Sequence, residues 1–227
     1  MSKIKWGAIV VDGRGKLGGH VFTKTRSGAT MRTKVTPVNP QSPAQAAARS
    51  RLGSQSQAWR GLTEEQRIGW NDLAQRTAKT NVFGDQYFPT GKNLFTGLNS
   101  NLLLVGESPL VAAPELAEMP VILSADVELG GPPFEITQSL SFTGATTNVK
   151  LVTEATAAMS AGRFNFDGSY RIIATDSADI EPEELGVLYT SKFGTPPQGA
   201  KIGFRYYFVH EQSGQQSPRF ATTAILL

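Results

Sequence analysis

The chain has no cysteine. Disulfides, thiol catalysis and cysteine-ligated metal centres are therefore excluded, and the redox compartment stays open. Histidine is almost as scarce. His20 and His210 lie far apart, so no pair stands at zinc-ligand spacing, and each reads as a strand residue. No apolar run approaches the roughly 18 residues of a membrane-crossing helix. The opening MSKIKWGAIVVDGRG has two lysines and a short apolar run. Asp12 and Arg14 cut that run off, so it reads as a strand rather than a cleaved leader. No G-x-S-x-G nucleophile elbow occurs.

Acid is missing only locally. Residues 1–60 hold eleven Lys/Arg against one acid, Asp12, a net charge of +10. Residues 61–100 are neutral, and residues 101–227, with seven basic and fourteen acidic groups, carry −7. Such a split implies two environments, with the basic part facing something anionic, either nucleic acid or an acidic protein surface. Attraction between the two halves, or between neighbours in an assembly, would also satisfy it.

Three apparent motifs dissolve on inspection. Gly13, Gly15 and Gly18 spell G-x-G-x-x-G after an apolar strand, but a strand-like run follows instead of a helix. No acid appears between Asp12 and Glu64 to hold a ribose. PTGKN at 89–93 lacks the upstream glycine of a phosphate loop, and Asn93 replaces its magnesium-binding hydroxyl. The acids of 176–184 lack the order and glycine of a calcium loop and read as a solvated segment. The expectation is a protein with no catalytic residues, no cofactor and no metal.

What is present suggests an α+β chain. Residues 3–11, 20–25 and 29–36 read as strands. The glycine-rich 13–19 and Arg26-Ser27-Gly28 are the turns between them, a β-hairpin or meander arm too thin to bury much alone. Pro37, Pro40 and Pro43 keep the next stretch extended. Ser42 is placed as N-cap with Pro43 at the first helical position, predicting a helix to about Trp59. Its stripe would be Ala44, Ala47, Ala48, Leu52 and Trp59. Gly61 ends it. Thr63 with Gln66 forms a capping-box pattern opening a helix over about 64–78, which offers Ile68, Leu73 and Ala74 with Trp70 beside them. A third helix is predicted at about 91–105 through Leu94, Phe95, Leu98, Leu102 and Val105, after an aromatic loop at 79–90.

The expected domains are a basic β-arm with a helical hairpin at 1–105, a Pro-rich linker at 106–120, and 121–227. In the last, seven short runs (121–129, 133–142, 146–154, 169–176, 185–193, 201–211 and 219–227) predict an immunoglobulin-like or fibronectin-like β-sandwich.

AWRGLTEEQRIGWNDLA is similar to the junction between the last two helices of HMG-box DNA-binding domains, with Trp59, Leu62, Arg67, Trp70 and Ala74 matching that pattern. Any two helices packed at an angle could use the same residues as core. On a larger scale, GKLGGHVF (15–22), RTKVTPVNPQ (32–41), AQAAARSRL (44–52) and AWRGLTEEQRIGW (58–70) together resemble the N-terminal module of a family of uncharacterised bacteriophage and prophage proteins.

That resemblance implies a non-enzymatic virion structural protein, assembled in the host cytoplasm. A capsid auxiliary or decoration protein is the first expectation, and a tail, fibre or connector component, or a phage DNA-binding protein, are the alternatives. The implied partners are the major capsid protein, other virion proteins and further copies of the chain. Nucleic acid is a lesser expectation, and neither a membrane nor a small-molecule substrate is expected. In this reading Arg14, Lys16, Lys24, Arg26, Arg32, Lys34, Arg49 and Arg51 contact the anionic surface, and Trp59, Leu62, Trp70 and Leu73 form the helical hub.

Overall fold

The structure, a computed structural model, describes residues 2–7, 12–36, 38–39, 41–131, 133–166, 169–175 and 181–226. Part of the first expected strand (8–11), Pro37, Pro40 and most of the acidic run (176–180) lie outside the described residues. The chain is mixed α and β and divides into two compact units. One holds residues 1–97 with 111–113, the other 98–110 with 114–227.

The first unit opens with a four-stranded antiparallel sheet of β1 (Ser2–Lys3), β2 (Gly15–Leu17), β3 (His20–Thr25) and β4 (Gly28–Thr33), in the order β1-β4-β3-β2. The expected strand at 3–11 is thus cut to Ser2–Lys3 among the described residues. The glycine-rich segment is not all turn. Gly15–Leu17 pairs with β3, and the chain reverses at Gly18, whose φ of +56° suits glycine.

Two helices follow. Helix α1 (Pro43–Gly61) starts where Ser42 accepts the Gln45 amide and Pro43 needs no amide partner. Helix α2 (Glu64–Arg76) carries the reciprocal Thr63–Gln66 capping box, with Glu64 and Glu65 in its first turn. The 79–90 loop contains a minimal ladder, β5 (Lys79–Thr80) with β6 (Gln86–Tyr87). It leads into α3 (Gly91–Leu104).

The core of this unit lies among the helices: Leu62, Trp70, Leu73, Ala74, Leu94 and Phe95 are buried. Gly91 permits the close approach, since a Cβ there would come within 2.9 Å of the Asn71 amide nitrogen.

The second unit contains β7 (Val121–Gly130), β8 (Glu135–Thr143), β9 (Val149–Ala155), β10 (Arg171–Thr175), α4 (Pro182–Phe193), β11 (Lys201–His210) and β12 (Phe220–Ile225). β7 and β8 form a two-stranded sheet, and the other four strands run β10-β9-β11-β12, all antiparallel. One core holds both sheets together through Ile122, Ile136, Leu151, Ile202, Phe204, Tyr206 and Phe208.

The expected strand at 185–193 is a helix. Leu185, Val187 and Tyr189 alternate as in a strand, yet Leu185, Leu188, Tyr189 and Phe193 also follow a helical period. The ends decide the matter: Pro182 opens the helix with Glu183 and Glu184 in its first turn, and Gly194 caps it at φ +81°. Leu185 and Tyr189 are buried, and Val187 faces solvent. Gly186 lies against strand backbone, where a Cβ would meet the Phe134 carbonyl.

Hydrogen bonds hold the 106–120 segment at three points. Asn99 exchanges two hydrogen bonds with the Leu110 backbone, at 3.1 and 2.7 Å. Gln215 does the same with Ala117, at 2.8 and 3.2 Å. Within the first unit, the Trp70 indole donates to the Val111 carbonyl at 2.9 Å.

Candidate interaction surface

The register of the first sheet sorts its basic residues. Paired residues of an antiparallel ladder point to the same side. Lys16, Val21 and Arg32 form one row across β2, β3 and β4. Lys34 continues that alternation, and its amide donates to the Gly19 carbonyl at 2.7 Å. Lys16, Arg32 and Lys34 are therefore presented on one face, all exposed. With Val21 between them, Lys16 and Arg32 stand two strand spacings apart, roughly 10 Å, which tempers their repulsion.

None of the three forms an ion pair with a described residue. The same face carries a cross-strand hydroxyl pair, Thr23 with Thr30 at 2.7 Å. The opposite face holds Phe22 and Met31, with Trp6 tilted 5.5 Å from the Phe22 ring.

Three other predicted contact residues are differently placed, and the first of them, Arg14, is exposed close to Asp12. Lys24 belongs to the opposite face and pairs with Asp12 at 3.2 Å. That hydrogen bond, helped by the Gly13 amide and the charge of Arg14, holds the Asp12 carboxyl below its usual range. Arg26 is tied to the Pro89 carbonyl at 3.3 Å. Together with Asn81 donating to Ser27 and Lys5 paired to Asp85, it fastens the sheet to the 79–90 loop by polar links. Asp85 titrates low for the same kind of reason, first the Asn81 hydrogen bond and then Lys5.

Helix α1 presents Arg49 and Arg51, both exposed and about 200° apart around its axis. Between Pro43 and Gly61 there is no acid. The expected apolar stripe is not buried. Ala47, Ala48 and Leu52 are exposed, Leu52 at 61%, and Trp59 is half-buried, so the helix packs mainly through Gln55, Ser56 and Trp59 near its C-terminal end. The side chain of Ala44 lies outside the description. The small size of the alanines explains the misreading: they fit a core stripe and a solvent-facing helix equally well. The side-chain amide oxygens of Gln45 and Gln55 are buried without a hydrogen-bond partner among the described residues, an unsatisfied arrangement for a helix otherwise so open.

The hub residues do come together. Leu62, Trp70 and Leu73 are buried, and Trp59 closes over them from the end of α1. The link is Phe95, in α3. Its ring lies 5.4 Å from Trp59 and 5.2 Å edge-on from Trp70. The period of α3 marks Phe95 as a core position, and only the folded arrangement makes it the pivot of the hub. Ile68, expected in that core, is half exposed.

Among the described residues no group of three or more His, Asp or Glu side chains is arranged to hold a metal ion. No helix is long and apolar enough to cross a membrane, again among the described residues. Comparison with family models, with curated proteins and with solved structures found no match.

Proposed function

We propose that the chain is a non-enzymatic virion structural protein of a bacteriophage, a head auxiliary or decoration protein anchored by its basic N-terminal unit. The observation that carries this reading is the incompleteness of that unit. Its sheet buries one residue among the described ones, Thr30, and α1 buries one, Gln55. A small sheet and a mostly solvated helix gain little from their own packing. They gain it from a neighbour, and the surface they offer is basic: Lys16, Arg32 and Lys34 on the sheet, Arg49 and Arg51 on α1.

Val35 and Val38, exposed at 69% and 87%, supply apolar surface beside those charges. The partner is an acidic, partly apolar protein surface such as a capsid subunit. The second unit is then the displayed part. Its immunoglobulin-like kinship belongs to this proposal as well: two antiparallel sheets sharing a core support it, and α4 in place of the fifth strand counts against it.

The test uses the full chain and a charge-reversed variant, Lys16→Glu, Arg32→Glu, Arg49→Glu and Arg51→Glu together. All four sites are exposed, so folding is retained. Wild type is expected to co-sediment with DNA-free shells lacking the protein, and the variant to stay in the supernatant. Equal binding of both would sink the proposal.

A second reading has its own observation. An acid-free, solvent-facing helix with arginines on two sides also fits nucleic acid. It predicts that the full chain binds duplex DNA with log affinity falling by roughly 0.9 per log salt for each phosphate neutralised. Salt-steep DNA binding with no affinity for shells would put this reading first.

A further inference from the structure

The second face of the four-stranded sheet points beyond anchoring. On β11 that face carries Lys201, Gly203, Arg205, Tyr207 and Val209. At one end, Tyr207, Val209 and Val152 are covered by Val105. At the other end a loop lies on the sheet. A Cβ on Gly203 would come within 2.9 Å of the Phe166 ring and 3.3 Å of the Tyr170 hydroxyl, so the glycine lets both rings rest on strand backbone.

Arg205 is ion-paired with Glu154 and stacks 4.3 Å from the Tyr170 ring, which fixes the loop's base. Phe164 is then held outward, 88% exposed, with the Lys201 ammonium 5.3 Å from its ring centre. Arg163 bridges back to the Asn165 carbonyl at 2.9 Å. Between this loop and β12 lies an open depression of about 450 Å³, bounded by Phe164, Asn165, Tyr170, Thr222 and Thr223.

We propose that this depression binds a saccharide. A sugar ring has an apolar C–H face and a rim of hydroxyls. Phe164 offers an exposed aromatic face for the first. Thr223 and the Lys201 ammonium offer hydrogen-bonding groups for the second. The volume is within the usual range for small-ligand sites, roughly 300–1,000 Å³.

Single-stranded nucleic acid also stacks on aromatic rings, but it uses successive rings along a basic groove. Here one ring is exposed, so the row of rings that such a strand stacks on is missing. The site stands on the second unit alone and does not depend on the virion proposal.

The full chain would be titrated by NMR with cellohexaose, chitohexaose and hexagalacturonate, and with oligothymidylate as the competing chemistry. At least one hexasaccharide is expected to bind. Phe164→Ala should weaken it about tenfold or more, from loss of the stacking face. Lys201→Met, which keeps the stem under Phe164, should weaken it less. Val187→Ala, at an exposed position on α4, should leave it unchanged. Binding by none of the three sugars, binding indifferent to Phe164→Ala, or tighter binding of oligothymidylate would each overturn the proposal.

Discussion

The two sheets of comparable strand number are built on opposite terms. In the second unit, β11 is flanked by strands on both sides and covered on both faces, so Ile202, Phe204, Tyr206 and Phe208 are buried on one side and Tyr207 and Val209 on the other. In the first unit, β3 is also central, yet its residues are half-buried or exposed. Strand pairing is therefore not what separates them. Coverage is, and coverage is what an assembly partner would supply. A sheet that completes its own core is self-sufficient; one that leaves a charged face and a solvated helix open offers that surface to the partner proposed above.

The largest expected contrast is in core truncations. Trp70→Ala removes the ring at the centre of the hub and should cost about 3–5 kcal/mol in urea unfolding, and Ile202→Ala about 2–5. Leu52→Ala, at a position that looks equally apolar on paper, should change stability by less than about 0.5 kcal/mol in the free chain. A large loss at Leu52 would mean that α1 is already packed, and the contrast would collapse.

Next comes Gly186→Ala. The added methyl meets the Phe134 carbonyl, so the helix must shift off β8, at about 1–3 kcal/mol of overpacking. Gly53→Ala, in α1, meets nothing within 4 Å and should instead stabilise its helix by up to about 1 kcal/mol. Thermal unfolding of the two variants reads both signs.

Smaller still is Tyr206→Phe. The Tyr206 hydroxyl is buried without a partner among the described residues. Its removal should be neutral or stabilising by about 1 kcal/mol. A clear loss would mean that the hydroxyl has a partner in solution.

The two units should also differ in pH response. Burial raises the Tyr189 and Tyr207 phenols from 10.0 to about 12, and that of Tyr206 further. Stability held by these neutral phenols is complete below about pH 10 and is lost as pH rises towards about 12, so the second unit is the alkaline-sensitive one. Asp12 and Asp85 are shifted the other way. Their links to Lys24 and Lys5 hold above the unfolded carboxyl value of 3.8 and are lost on acidification below it, in the first unit. Amide chemical shifts followed across pH would show the acid transition near Lys5 and Asp85 and the alkaline one near β11. The reverse order would contradict the assignment.

The starts of α1 and α2 were the most legible part of the sequence, because side-chain capping is local chemistry. Ser42-Pro43 and Thr63…Gln66 carry their own partners within four residues. The strand 20–25 was legible for the same reason, lying between two glycine turns. α4 is ambiguous in sequence because Leu185, Val187 and Tyr189 satisfy period 2, whereas the marks of a helix lie only at its ends, in Pro182, the paired glutamates and Gly194, with no side-chain cap to announce them. The helical hub was legible as residues but not as geometry. Trp59 and Trp70 announce a core, whereas their meeting at Phe95 depends on how α3 returns to them. The exposure of α1 was not legible at all, since an alanine stripe looks the same whether or not anything lies against it. Phe164 was invisible too, because its outward ring depends on Gly203 seating Phe166 and Tyr170 beneath it.

The central claim is that the first unit is completed by a partner and the second is not. Amide hydrogen exchange on the full chain, free and bound to empty shells, tests it most directly. The account predicts that amides of α1 residues 44–54 and of β2 to β4 exchange quickly in the free chain and become protected on shells, while those of β9 and β11 are protected in both states. Equal protection of α1 and β11 in the free chain, or no change in α1 on shells, would contradict it.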